Sequence, residues 1–163
     1  MKVGIDPGLE GAIALLQDNE VLADLIDMPV MPMGKHKHQI NAAALAKLLK
    51  NWKDIDCRLT ACVEYVSAAP GQGVSAMFNF GVSYGVVQGV LGALQIPVTF
   101  VTPAVWKKRA GLPQREKGQK ESVYKDIART RAQQLYPVAD LSRKKDVGRA
   151  DALLIARFGE KGE

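Results

Sequence analysis

The stretch that decides the fold is Lys2-Val3-Gly4-Ile5-Asp6-Pro7-Gly8-Leu9-Glu10-Gly11-Ala12-Ile13-Ala14-Leu15-Leu16. Residues 2–6 read as a short strand with Val3 and Ile5 on one face. Pro7-Gly8 forces a turn, and Gly11–Leu16 reads as a second strand. The turn Asp18-Asn19-Glu20 leads into a third strand, Val21–Asp27. Strands joined by tight turns predict an antiparallel meander. Asp6 stands where the first strand ends and the backbone opens.

Outward from this meander the pattern changes. Residues 28–40, MPVMPMGKHKHQI, carry prolines, a glycine and basic or imidazole side chains, and predict a mobile loop. Asn41 is a good N-cap for a helix Ala42–Trp52, whose apolar face is Leu45, Leu48 and Leu49. Leu59–Val66 reads as a fourth strand. Pro70-Gly71-Gln72-Gly73 breaks the chain before a long apolar helix at about 74–94, and Pro97–Val101 is a fifth strand. A short helix at 104–110, a charged helix at 119–135 ending before Pro137, and a last helix at 147–158 complete the chain. Three antiparallel strands followed by strands alternating with helices predict an α/β fold, a five-stranded mixed sheet with parallel crossovers. A chain of 163 residues is enough for one domain, 1–163, and short for two.

Charge is unevenly distributed. Residues 1–100 hold 7 Lys and Arg against 9 Asp and Glu, whereas residues 101–163 hold 15 against 8. That basic second part suits a polyanionic partner, and equally a solvated basic helix. The two cysteines, Cys57 and Cys62, lack the partners of a disulfide framework or a zinc site. The opening residues meet a charge and a turn too early for a signal peptide, and no apolar run reads as a membrane span, so a reduced cytoplasmic setting without a membrane partner is expected.

Three carboxylates lie in apolar surroundings on three separate elements. Asp6 ends a strand; Glu64 sits in Ala61-Cys62-Val63-Glu64-Tyr65-Val66; Asp151 sits in Ala150-Asp151-Ala152-Leu153-Leu154-Ile155-Ala156. A carboxylate in such a setting is costly without a partner. Singly, each has an ordinary explanation as a turn residue, a solvent-facing strand residue or a helix-dipole partner. Together they predict convergence around a hard divalent cation, which prefers oxygen ligands and relieves their mutual repulsion. Asp146 has two readings, an N-cap of the last helix or a fourth ligand at its start. His36 and His38 are poor joint ligands, and Gly71 with Gly73 lacks the following Gly-Lys-Ser/Thr of a phosphate loop. Gly81, Gly85 and Gly89 form a smooth stripe on the long helix, suited to packing on the sheet or to a dimer contact.

These segments together resemble the RuvC family of Holliday-junction resolvases. Gly4-Ile5-Asp6-Pro7-Gly8 with Gly11 is similar to its opening motif, Val63-Glu64 to its second acidic motif, and Phe80-Gly81 through Gly85 to its glycine-bearing helix. Thr102-Pro103-Ala104-Val105-Trp106-Lys107-Lys108, Lys120-Glu121-Ser122-Val123 and Ala150-Asp151-Ala152-Leu153 resemble its later segments. The PGQG and KKDVGRADALL segments resemble phage and prophage relatives. The resemblance spans residues 3–158 and implies an RNase H-like fold, a homodimer, no nucleotide cofactor, and Mg²⁺-dependent phosphodiester hydrolysis, with Mn²⁺ able to substitute. It implies a crossover junction endodeoxyribonuclease that resolves Holliday junctions in DNA recombination and repair. Its metal ligands would be Asp6, Glu64 and Asp151 with Asp146 assisting. Lys107, Lys108 and Lys120, with Arg109, Arg115 and Lys117 in the same basic stretch, would contact DNA phosphates.

Two positions depart from that family. Gly148 stands where it has an acid or a histidine three residues before the last Asp. Ser67 stands where it often has an aromatic that helps open the junction. A phage debranching nuclease acting on Y-junctions, forks and flaps is therefore the nearest competing expectation, followed by a branched-DNA-binding protein without catalysis, against which the retained acids argue. An RNase H-like enzyme acting on RNA is a further one. An actin-like ATPase needs a second lobe that 163 residues do not supply.

Overall fold

A computed structural model describes residues 1–35, 37–65, 67, 71, 73–114 and 121–160. The meander is formed by β1 (Lys2–Ile5), β2 (Ala12–Leu16) and β3 (Leu22–Asp27), paired antiparallel. After it come β4 (Val30–Pro32), β5 (His38–Ile40), α1 (Ala42–Ile55), β6 (Thr60–Glu64), α2 (Val74–Ala93) and β7 (Val98–Val101). The chain then runs through α3 (Pro103–Arg109), α4 (Glu121–Leu135) and α5 (Val147–Phe158). The main sheet has the order β3-β2-β1-β6-β7, with β6 parallel to both β1 and β7. This is the predicted five-stranded mixed sheet, and helices flank it on both faces.

The segment expected to be a mobile loop is in part a hairpin. β4 and β5 pair antiparallel with Val30 opposite Ile40 and Pro32 opposite His38. Gly34, at φ +78°, supplies the left-handed residue that its turn needs. Strands this short, with two prolines nearby, carry no readable period-2 pattern. The N-cap of α1 is as expected: Asn41 Oδ1 accepts from the Ala44 N–H at 3.1 Å.

Alternation of side chains across the sheet divides the core in two. Val3, Ile5, Ala61, Val63 and Leu15 pack toward α1 and α2, with Leu45, Leu49, Val87 and Leu91. Ala12, Ala14, Leu16, Cys62 and Val101 pack toward α3, α4 and α5, with Trp106, Ala132, Leu153 and Ile155. By length and composition α2 is apolar enough to cross a membrane, a property the sequence reading had denied to every segment. It buries Ser83, Val87 and Leu91. The glycine stripe on it does not serve packing on the sheet, because a Cβ at Gly81, Gly85 or Gly89 would meet nothing within 4 Å.

α5 lies unusually close to β1. A Cβ on Gly4 would stand 2.2 Å from the Ala152 carbonyl oxygen and 2.3 Å from the Ala156 nitrogen. Neither obstacle is a side chain that can swing away, so the helix would have to move. We predict that Gly4→Ala destabilises the fold at the upper end of overpacking effects, about 3 kcal/mol. For a chain of this size that is a fall in Tm of roughly 6–12 °C, measurable by thermal denaturation; an unchanged Tm would contradict the close approach.

Candidate active site

Parallel register places the first two acids. Ile5 pairs with Val63 between β1 and β6, so Asp6 and Glu64 follow at the same level on neighbouring strands. Both share the sheet face of Gly4 and Cys62, the face that α5 covers. Asp151 precedes Ala152, the residue whose carbonyl crowds Gly4, and so enters the site from the helix. The three carboxylates act on one another electrostatically: Asp6 and Glu64 both disfavour ionisation of Asp151, and Asp6 disfavours that of Glu64.

Each carboxyl group is pushed up from its ordinary pKa, with burial the largest cause. For Asp6 the opposing influences are the Gly8 N–H, which donates to Oδ1 at 3.2 Å, and the charges of Lys107 and Lys125. For Glu64 burial is opposed by a hydrogen bond from Trp106, whose Nε1–H donates to Oε1 at 2.9 Å, and by Lys107. Asp151 is pushed up to about 8 by burial and by Asp6 and Glu64, against Lys107 and Lys125. Its Oδ1 is buried and has no hydrogen-bond partner. An orphaned carboxylate oxygen within the field of two further acids has the donor chemistry that suits a hard divalent cation. Among the described residues no group of three or more His, Cys, Asp and Glu side chains is already placed to hold a metal ion, so a cation would have to draw these carboxylates together.

Asp146 is placed elsewhere. It is 2% exposed, and Arg143 engages it through the backbone N–H at 2.7 Å and through Nε at 2.8 Å. Burial pushes its carboxyl up, but the Arg143 bonds outweigh this and hold it below the ordinary value. It occupies the N-cap position of α5, its backbone carbonyl accepting from the Ala150 N–H at 3.1 Å, but it makes no side-chain capping bond. Its electrostatic neighbours are Arg143, Arg149 and Asp27, where Arg149 bridges Asp27 and Asp140. Gly148 has a packing reason: a Cβ there would stand 2.4 Å from the Glu10 carbonyl oxygen and 2.8 Å from the Gly11 Cα. The acid or histidine of the resembling family has no room at this position.

The basic candidates separate as well. Lys107 belongs to the site, its ammonium 5.1 Å from the Trp106 ring centroid and 5.3 Å from that of Tyr124. Lys108 is exposed on α3. Arg109 instead caps the far end of α5, donating to the carbonyl oxygens of Phe158 at 3.3 Å and Gly159 at 2.6 Å. Arg115, Lys117, Lys120 and His36 lie outside the described residues. Ser67 is exposed, and the nearest aromatic along the chain, Tyr65, packs edge-on against Tyr84 with centroids 6.5 Å apart.

Three participants went unread as site residues in the sequence: Trp106, Tyr124 and Lys125. Trp106 had a usable signal, since a buried indole N–H needs an acceptor. Tyr124 and Lys125 had none, because α4 is polar along most of its length.

No family model and no curated protein matches the chain in sequence. Solved structures match it in fold. T. thermophilus RuvC in complex with a Holliday junction substrate superposes with a TM-score of 0.59 at 14% identity, over 95% of this chain and 89% of that one. A second T. thermophilus RuvC structure gives 0.53 at 15% identity with the same coverage. The fold is thus RNase H-like. Within that class it is RuvC-like.

Two predictions follow from the charges. Between about pH 4 and 8 the folded, metal-free protein keeps a proton on Asp151 that the unfolded chain has released. Stability should therefore fall as pH rises through that window. Denaturant unfolding in chelator at several pH values should show this slope, and Asp151→Asn should flatten it; equal slopes for both proteins would contradict the burial argument. Asp146→Asn should lower Tm through loss of the Arg143 ion pair while Mn²⁺ affinity stays unchanged. A large loss of Mn²⁺ affinity would instead make Asp146 a metal ligand.

Proposed function

We propose that the chain is a metal-dependent endonuclease that hydrolyses phosphodiesters in branched DNA, with Asp6, Glu64 and Asp151 as the metal ligands. The observation that carries this is the orphaned Asp151 Oδ1 in contact with the fields of two other acids. The likeness in fold to a RuvC bound to a Holliday junction supports DNA as the substrate. Mg²⁺, or Mn²⁺ in its place, would supply water activation and neutralisation of charge on the leaving oxygen. The chain's own contribution is to hold three oxygen donors in a partly water-excluded corner where the strand ends meet α5. Lys107, beside all three acids, neutralises the phosphate being cut. Lys108, exposed on α3, extends the positive surface along the DNA backbone. Such contacts position DNA without reading its sequence.

A homodimer through α2 fits the unpacked glycine stripe. That helix also exposes Val74 at 81% and Phe78 at 71%, apolar surface that a second copy would cover. Two-fold symmetry then sets two sites against the two strands of a junction. With Ser67 exposed where the resembling family often carries an aromatic, the preferred reading is broad branch specificity, including three-way junctions, forks and flaps.

The test is cleavage of labelled four-way, three-way and linear DNA with and without Mg²⁺. Asp6→Asn, Glu64→Gln and Asp151→Asn should each abolish cleavage while gel-shift affinity persists; near wild-type cleavage by any one removes that residue from the site. Single-turnover rates on three-way and four-way junctions should agree within about tenfold, a barrier difference of about 1.4 kcal/mol. Equal cleavage of linear duplex would overturn branch recognition. Affinity should fall by roughly a decade or more between low and physiological salt if several phosphates are contacted. Light scattering at micromolar concentration should give a dimer, and a strict monomer that cuts both strands together would contradict the α2 interface.

A further inference from the structure

Two of the three acids are tied to donors of the protein itself. Asp6 takes the Gly8 N–H, and Glu64 takes the indole N–H of Trp106; Asp151 keeps Oδ1 open. Glu64 is the longest of the three side chains and has the most rotamer freedom to lose. Trp106 is fully buried, at 0% exposure, so its indole is held by the core of the α5 face. Its Nε1–H must find an acceptor there. The acceptor is one oxygen of Glu64, which leaves Oε2 and the remaining lone pairs for another partner. An apolar residue of similar size would fill the same space and leave Glu64 unrestrained.

The same indole has a second contact. Its ring and that of Tyr124 both lie within about 6 Å of the Lys107 ammonium, the range of cation–π attraction. Lys107 is the cation that acts on all three acids. Tyr124 is itself close enough to Asp151 for that charge to act on its hydroxyl. One rigid side chain thus reaches an anion and, with its neighbour's help, a cation of the same site.

We propose that Trp106 is a positioning residue: its indole N–H fixes the Glu64 carboxylate for metal binding, and its ring, with Tyr124, holds the Lys107 ammonium for the phosphate. This rests on the metal-dependent nuclease reading. The two functions are separable, because Phe at 106 keeps a ring and loses the donor, whereas Leu at 124 loses a ring and keeps the donor.

The experiment measures Mn²⁺ affinity by calorimetry, and affinity for a four-way junction by gel shift in chelator. Trp106→Phe should weaken Mn²⁺ binding by about tenfold or more, the usual loss when an outer hydrogen-bond partner of a ligand is removed. Tyr124→Leu should leave Mn²⁺ affinity unchanged and weaken junction binding by about two- to fivefold. A purely structural Trp106 would lower Tm in Trp106→Phe and leave Mn²⁺ affinity of the folded fraction at the wild-type value, and that result overturns the proposal. So does wild-type junction affinity in Tyr124→Leu.

A measurement with Trp106 intact covers the case in which Trp106→Phe does not fold. The chain has two tryptophans, so in Trp52→Phe the emission comes from Trp106 alone. Mg²⁺ should then change that emission saturably, and Glu64→Gln should abolish the response. Emission indifferent to Mg²⁺ in a protein that binds Mn²⁺ overturns the positioning role while leaving the nuclease reading in place. Failure of the wild-type protein to bind Mn²⁺ at all overturns the nuclease reading, and the positioning role with it.

Discussion

Helix α5 lies against the sheet at a distance that only a glycine permits. Gly4 gives the helix backbone its seat at Ala152 and Ala156. The helix is pinned at both ends by the same device. Gly148 sits against the turn backbone of Glu10 and Gly11, and Gly159 sits against Cys62, whose Sγ a Cβ would meet at 2.1 Å. These contacts leave α5 little freedom to slide or rotate, because the obstacles are mostly backbone and protein interiors do not yield locally without cost. The carboxylate of Asp151 is positioned by this seat. Asp6 and Glu64 need only the parallel pairing of β1 with β6, whereas Asp151 comes within electrostatic reach of them because a helix has been brought into near-contact with a strand.

That packing also sets the electrostatics. Three acids between a helix and a strand edge lose hydration and lie within one another's electrostatic reach, so all three hold protons more tightly than free carboxyls. The compensating charge comes from the basic second part of the chain: Lys107 on α3 and Lys125 on α4 both act on the site. Part of the excess of Lys and Arg after residue 100 is thus internal counter-charge. The second acidic cluster, Asp27, Asp140 and Asp146 with Arg143 and Arg149, is balanced by its own arginines and orders the approach to α5.

The parts of the fold with strong local signals were legible in the sequence. Period-2 alternation, the Pro7-Gly8 turn and the Asn41 cap located strands and helices to within a few residues of where they lie. The three acids drew attention in the sequence because a carboxylate in an apolar run is costly, and the structure buries all three within electrostatic reach of one another. What escaped had no such signal. β4 and β5 are three residues each and are defined by pairing with each other. Lys125 lies on a polar helix, where one lysine looks like any other. Asp146 was ambiguous because capping and ion pairing use the same residue type, and its actual partner, Arg143, is a choice made by tertiary structure. The open face of Gly81, Gly85 and Gly89 could not be told from a packed one, since a smooth stripe suits both.

Gly148 shows how packing and chemistry are coupled. The resembling family carries a further acid or histidine at this position, and here the turn backbone fills the space its side chain would need. A chain cannot keep both the close turn and the extra ligand. In the proposed metal site the burden would then fall on three carboxylates and on whatever holds them in place. Asp6 and Glu64 each have a protein donor, and Asp151 has the rigidity of its helix. In the proposed site, the hydrogen bond from the buried Trp106 indole to Glu64 would be the counterpart of a fourth donor, because orientation and number of donors both govern how tightly a small hard cation is held.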